Sequence, residues 1–276
     1  MLDFLRKSRR REKLRAAPLS DEQRAIVRRN VPYVATLSEA DRRELEGHIQ
    51  VFLVEKRFEG CGGLAITEEI RLTIAAQACV LLLHRDTGYY PALSSILVYP
   101  HAYVVRNARR SLGALVEEGD QVRLGESWTK GSVVLAWDAV LGGARDVGDG
   151  GDGRNLVFHE FAHQLDAEDG AMNGAPDLGQ RSLYSVWARV LGEEYGELAE
   201  RVDAHRPSDI DAYGATSPAE FFAVVTEAFF ETGARLKHDH PELYEVLRAF
   251  YRQDPAGETP GAADTYSPGS VLRLGS

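Results

Sequence analysis

The chain has 276 residues, 44% of them apolar, and carries 32 basic against 42 acidic side chains, a formal net charge of -10. That apolar content is enough to bury a substantial core, in one large domain or two modest ones. The acidic balance argues against direct nucleic-acid binding, because phosphate contacts need clustered Lys and Arg.

Two cysteines, Cys61 and Cys79, make no disulfide framework, and a reducing compartment follows. At the N-terminus Arg10, Arg11, Glu12 and Lys13 stand where a signal peptide would begin its apolar stretch. The run from Ile70 to Leu83 is broken by Arg71 and Gln77 and is too short to span a bilayer. The expectation is a cytoplasmic protein without stable membrane association.

Residues 1–17 are rich in Lys and Arg and are predicted to form a solvated basic tail. Ser20 with Gln23 has the form of a capping box, with Leu19 as its staple, and Ser38 and Thr67 are further N-cap signals. Behind Ser38, Leu45, Ile49, Phe52 and Leu53 recur at helical spacing; behind Thr67, Ile70, Ile74, Ala78 and Leu81 do the same. Residues 18–90 therefore read as mainly helical.

The pattern then changes. Ser95 to Tyr99 and Ser132 to Trp137 are predicted strands, with a short one at Val122 to Leu124. Asp146 to Gly153 lacks the EF-hand pattern and reads as a loop. Helices are expected from Leu156 behind an Asn155 cap, from Ser182 to about Val202, from Ser217-Pro218, and from Pro241 to Tyr251. After Asp254 a flexible tail rich in Pro, Gly, Ala, Ser and Thr is expected.

The resulting organisation is a tail (1–17), one domain (18–253, helical over 18–90 and zincin-like over 91–253) and a second tail (254–276). The fold class is α+β: a zincin-like arrangement with an active-site helix against a small mixed sheet, behind a mainly helical N-terminal region.

His159-Glu160-Phe161-Ala162-His163 carries the chemistry. Positions four apart on a helix lie about 40° apart around the axis, one turn up, so both imidazoles can face one ion. Glu160 lies about 100° round from His159, where its carboxylate can reach a water on the ion's open side. The spacing is that of zinc peptidases, with Glu160 as general base. Zinc needs at least one further ligand. Asp169, the acids Glu193, Glu194, Glu197 and Glu200, His205, Glu220 and Glu227 are all open at this point. Glu220 also fits a capping box behind Ser217 and Pro218. Asp166, on the histidine face, is expected to accept from an imidazole.

Further segments carry a resemblance. His159 through Asp166, Ile210-Asp211-Ala212-Tyr213 and Ser217 through Val224 resemble the Mlc titration factor A family of zinc peptidases. Arg154-Asn155-Leu156, Gly131 through Trp137 and Leu97-Val98-Tyr99-Pro100 are similar to it too, so the likeness runs from about residue 18 to about 255. It implies zinc held by His159, His163 and Glu220, Glu160 as base, and Tyr213 assisting at the transition state. It also implies a catalytic domain similar to that of anthrax lethal factor, with chiefly aminopeptidase activity on a peptide or protein substrate. A described family member binds and inactivates the glucose repressor Mlc. Three functions follow: a zinc aminopeptidase-like enzyme as the first reading, a regulatory protein that sequesters a transcriptional repressor as the second, and a zinc amidase or esterase as the third. Ser132 to Trp137 is the expected edge strand for an extended peptide. Oligomeric state has no signal in the sequence.

Overall fold

The computed structural model describes residues 2–101, 103–105, 110–111, 114–115, 121–123, 125–128, 131–145 and 153–257, with side chains over 6–101, 131–145 and 153–257. The expected tail after Asp254 and the loop over 146–152 therefore lie largely outside the described residues.

The basic segment differs from its expectation as a tail. It is helix α1 (Leu2–Arg15) and lies against α3 (Glu39–Glu55). Arg11 makes a two-pronged ion pair with Glu55, both bonds at 2.7 Å, donates to the Gly88 carbonyl at 2.8 Å, and covers the Tyr89 ring. Gly47 permits the approach, since a Cβ there would stand 2.8 Å from the Arg15 carbonyl. One paired arginine and one missing Cβ thus dock a sequence that composition alone reads as solvated.

Helix α2 (Asp21–Asn30) begins at the Ser20/Gln23 capping box, and α3 at Ser38, as expected. Strand β1 (Arg57–Gly60) follows, then α4 (Glu68–Val80) behind its Thr67 cap. From Leu72 to Leu83 every residue is buried, Thr73 and Gln77 included, because the segment is apolar almost all round. Strands β2 (Ser95–Tyr99), β3 (Tyr103–Val105), β4 (Arg110–Ser111), β5 (Ala114–Leu115), β6 (Gln121–Arg123), β7 (Gly125–Trp128) and β8 (Ser132–Ala136) come next. Trp137 does not extend the last strand but opens α5 (Trp137–Arg145).

Four strands form an unclosed mixed sheet in the order β1-β2-β8-β7. β1, β2 and β8 run parallel, and β7 is antiparallel to β8. Two small antiparallel pairs, β3 with β6 and β4 with β5, stand apart from it. The expected peptide-binding edge is corrected here. β8 is paired on both sides, with Ser132 opposite Ser95 of β2 and opposite Trp128 of β7. The sheet's edges are β1 and β7.

Helices α6 (Leu156–Asp166), α7 (Arg181–Asp203), α8 (Pro218–Glu231), α9 (Gly233–Asp239) and α10 (Pro241–Tyr251) complete the chain. The result is a mainly helical N-terminal region followed by a small mixed sheet and helices, the zincin-like α+β arrangement expected. Phe229, Phe230, Tyr244 and Tyr251 form an aromatic cluster that fixes α8 against α10. Among the described residues no helix is long and apolar enough to cross a membrane.

Candidate metal centre

The position of α6 is set at its first turn. The Asn155 side-chain oxygen accepts from the backbone N–H groups of Val157 and Phe158, both at 3.0 Å. The same residue latches α6 onto α8: its backbone N–H donates to Glu227 Oε2 at 2.5 Å and its side-chain amide to Glu231 Oε1 at 2.9 Å. Val157, Phe158, Phe161, Ala162 and Leu165 are buried along one side of α6. Phe161 packs edge-on to Tyr90, and Phe158 lies against Phe230 of α8. Truncating either phenylalanine would cost about 3–5 kcal/mol, so the histidine face of α6 is held by its opposite face.

Glu220 sits three residues into α8, behind a Ser217 cap that accepts from the Glu220 N–H at 3.2 Å. The capping serine and the carboxylate serve different groups, so the helix start and the cluster are satisfied together. His159 Nε2 lies 3.0 Å and His163 Nε2 3.2 Å from the same oxygen, Glu220 Oε2. One ligand atom from each of the three residues falls within 4.8 Å of the other two. Tetrahedral zinc with bonds of about 2.0–2.1 Å places its ligand atoms roughly 3.3 Å apart. The donor set and its spacing therefore fit a zinc-sized ion.

A second observation supports that fit. His159 Nδ1 is 2.7 Å from Glu227 Oε1, a residue two helical turns along α8 from Glu220. With Nδ1–H donated to Glu227, the Nε2 lone pair is aimed at the cluster, the arrangement that metal-ligating histidines with a carboxylate behind them adopt. Without an ion the groups hold one another. Burial pulls the His159 pKa down, but its hydrogen bonds to Glu220 and Glu227 outweigh it and raise it to about 10. Burial pushes Glu220 up, yet its bonds to the two imidazoles bring it down to about 2.

Glu160 is buried on α6, and its charge acts on His159. Tyr213 lies in a 3-10 turn (Ala212–Thr216) with its ring 5.9 Å from the His159 ring, yet it is 54% exposed. Asp211 builds that turn: it accepts from the Tyr213 N–H at 2.9 Å and from Arg154 Nε at 2.8 Å.

The other acids do not join the cluster. Asp169 accepts from the Ala171 N–H, Glu193 pairs with Arg189, and Glu194 binds His240. Asp166 does not accept from an imidazole. Its Oδ2 takes the Gly174 N–H at 2.9 Å, and so holds the loop after α6. Gly174, at φ +78°, fits against the start of α8, where a Cβ would come 2.3 Å from the Pro218 carbonyl. A second group, Asp41, Glu44 and His84, also converges. It has one imidazole between two carboxylates, at 3.2 and 3.4 Å, and forms an ion-pair network that raises His84.

Sequence reasoning missed the roles of Glu227 and Glu231. The available signal was their spacing, seven and eleven residues after Glu220, in a helix that is apolar and aromatic apart from these acids and Thr226. Acids placed at that repeat inside a buried helix need a polar partner.

The family model described as Glucose-regulated metallo-peptidase M90 matches residues 5–252. The chain belongs to that family. A protein of Synechocystis sp., itself described as uncharacterized, is 48% identical over 247 residues, covering 89% of each chain. Mlc titration factor A of Yersinia pestis (strain Pestoides F) is 32% identical over 231 residues, covering 82% of this chain and 83% of its own. Mlc titration factor A of Yersinia pseudotuberculosis (serotype O:1b, strain IP 31758) matches equally.

These relatives correct the leading expectation. The family heading names a metallo-peptidase, but the relatives carry names that state titration of Mlc. The assignments as zinc peptidase, aminopeptidase or other hydrolase, drawn from His159-Glu160-Phe161-Ala162-His163, are overturned by that finding. The physical reason is that two imidazoles and a carboxylate specify a place for an ion; turnover also needs a bound and oriented substrate. The strand expected to supply that orientation, β8, is internal to the sheet, and the edge strand beside α6 is β7.

Proposed function

We propose that this protein is a titration factor: a zinc-organised binding protein that sequesters a transcriptional repressor of the Mlc kind. The observation that carries the reading is its similarity, over more than four-fifths of both chains, to proteins named Mlc titration factor A. His159, His163 and Glu220 hold the zinc, and Glu227 orients His159. Bound there, the ion would tie α6 to the start of α8. Glu160 and Tyr213 contribute to the shape and polarity of the surface around it.

The exposed apolar side chains support a docking face at this centre. Among the described residues the large exposed hydrophobics are Val54, Met172 and Tyr213. Tyr213 stands over His159, and Met172 lies in the loop that Gly174 seats against α8. Tyrosine and methionine are enriched at interfaces, where they give large contact area beside a polar group. A repressor partner places the protein in the cytoplasm.

The test is a gel shift in which purified protein is added to a complex of the repressor with its operator. Release of the operator near equimolar protein, with the repressor chain intact, supports the reading. No release at any ratio, or release that tracks fragmentation of the repressor, overturns it.

A further inference from the structure

Away from the metal centre, two adjoining grooves share the residues Val54 and Glu55. One, of about 510 Å³, runs between α1 and the end of α3 and is walled by Arg6, Lys7 and Arg10. The other, of about 630 Å³, runs along β1 and is lined by Arg57, Phe58, Ile66 and Arg71. Their single shared acid, Glu55, is engaged by Arg11 through two hydrogen bonds and lies 3.8 Å from Lys7. The groove walls are therefore cationic on a chain whose formal net charge is -10.

Val54, Phe58 and Ile66 give the grooves an apolar patch, and one side is an open sheet edge. Val54 is 44% exposed where the grooves meet, and Arg71 lies over the Phe58 ring. Among the described residues β1 pairs only with β2, at one end of the four-stranded order. The Arg57 N–H donates to the Ser94 carbonyl at 3.0 Å and the Cys61 N–H to the Val98 carbonyl at 2.8 Å. Odd-numbered residues thus turn their backbone polar groups toward β2, so Phe58 turns its own outward. Among the described residues no backbone group of β1's neighbours pairs with it on that side.

We infer that the open edge of β1, with the exposed cations of α1 and β1 around it, docks an extended acidic segment of a partner protein as an added strand. Backbone pairing supplies affinity, and alternate side chains would meet the apolar patch and the cationic walls. Exposed charges on an edge strand normally guard against indiscriminate pairing. Here Arg57 and its weak partner Glu59, 3.8 Å apart, perform that guarding, while the cationic side chains across the groove, outnumbering its one acid, favour an acidic strand. Duplex nucleic acid offers no extended backbone to pair with Phe58, and the net charge of the chain repels it. This surface lies at the opposite end of the sheet order from β7, the strand next to α6, and stands or falls separately from repressor capture at the metal centre.

The experiment uses the full chain and a short fluorescein-labelled peptide of alternating glutamate and valine. Anisotropy reads binding, and amide hydrogen exchange reads protection over residues 57–60. The peptide is expected to bind, to slow exchange at Phe58, and to lose at least about tenfold in affinity when Lys7→Glu and Arg10→Glu are combined. Arg43→Glu, on the first turns of α3, should leave binding unchanged. Absence of binding, binding without protection of Phe58, or equal binding of a lysine–valine peptide would overturn the inference. So would a preference for a DNA duplex or phosphatidylserine vesicles over the acidic peptide.

Discussion

Replacing Glu227 by glutamine should weaken zinc binding by about 10–100-fold, although Glu227 is not itself a ligand. In the native arrangement its two oxygens each accept one hydrogen bond, Oε1 from His159 at 2.7 Å and Oε2 from the Asn155 N–H at 2.5 Å. A glutamine has one acceptor and one NH₂ group. If its oxygen stays with the Asn155 N–H, its NH₂ faces His159 Nδ1 and stabilises the wrong tautomer, with the proton on Nε2 where the metal should sit. If it flips, the buried Asn155 N–H meets an NH₂ group, and α6 loses a bond at its cap. The first alternative costs about 1.4–2.7 kcal/mol in zinc affinity, the equivalent of the stated fold-change. The second costs about 1–3 kcal/mol of folding stability. The assay is competition for zinc against a chromophoric chelator, alongside thermal melts with and without metal. Zinc affinity within about threefold of wild type, with an unchanged melting curve, would refute the reasoning, because an orienting carboxylate of this kind is worth more than that.

Zinc loading at neutral pH should release protons, since the metal-free imidazole of His159 is held protonated and must give up Nε2–H; a weakly buffered titration with an indicator dye reads this directly. In the metal-free protein the raised His159 pKa contributes stability that is fully present below about pH 6.5 and is lost as pH rises toward about 10. The depressed Glu220 pKa contributes stability present above about pH 4.5 and lost as pH falls toward about 2, so Glu220→Gln should cost most between about pH 4.5 and 6.5, and progressively less as pH falls toward about 2 or rises toward about 10. Gly174→Ala should destabilise by more than about 1 kcal/mol in a thermal or urea melt, because φ +78° is strained for alanine and its Cβ would meet the Pro218 carbonyl. Tyr213→Ala should weaken repressor capture while leaving zinc content, read by metal analysis, unchanged.

What was legible in the sequence was what is local. Ser20, Ser38, Thr67, Asn155 and Ser217 each cap the helix that follows, because an N-cap bond is closed within three residues. The two histidines of α6 could be placed on one face for the same reason. What depends on distant parts of the chain was not legible. Glu227 shows its role only when α6 crosses α8, and the internal position of β8 follows from a sheet order that places β2 on one side of it and β7 on the other. Helix α1 was hidden by its charge, since its docking rests on Arg11 finding Glu55 more than forty residues away. Function failed to follow from the motif for a related reason. Ligand spacing is written in five residues, whereas what a surface around the ion binds is written across several elements.

The most direct test of the account is calorimetric titration of the zinc-loaded protein into a purified repressor of the Mlc kind, followed by mass measurement of both chains. A stoichiometric complex with the repressor at full mass is expected, with affinity lowered in the metal-stripped protein. Absence of a complex, or recovery of a shortened repressor, would contradict it.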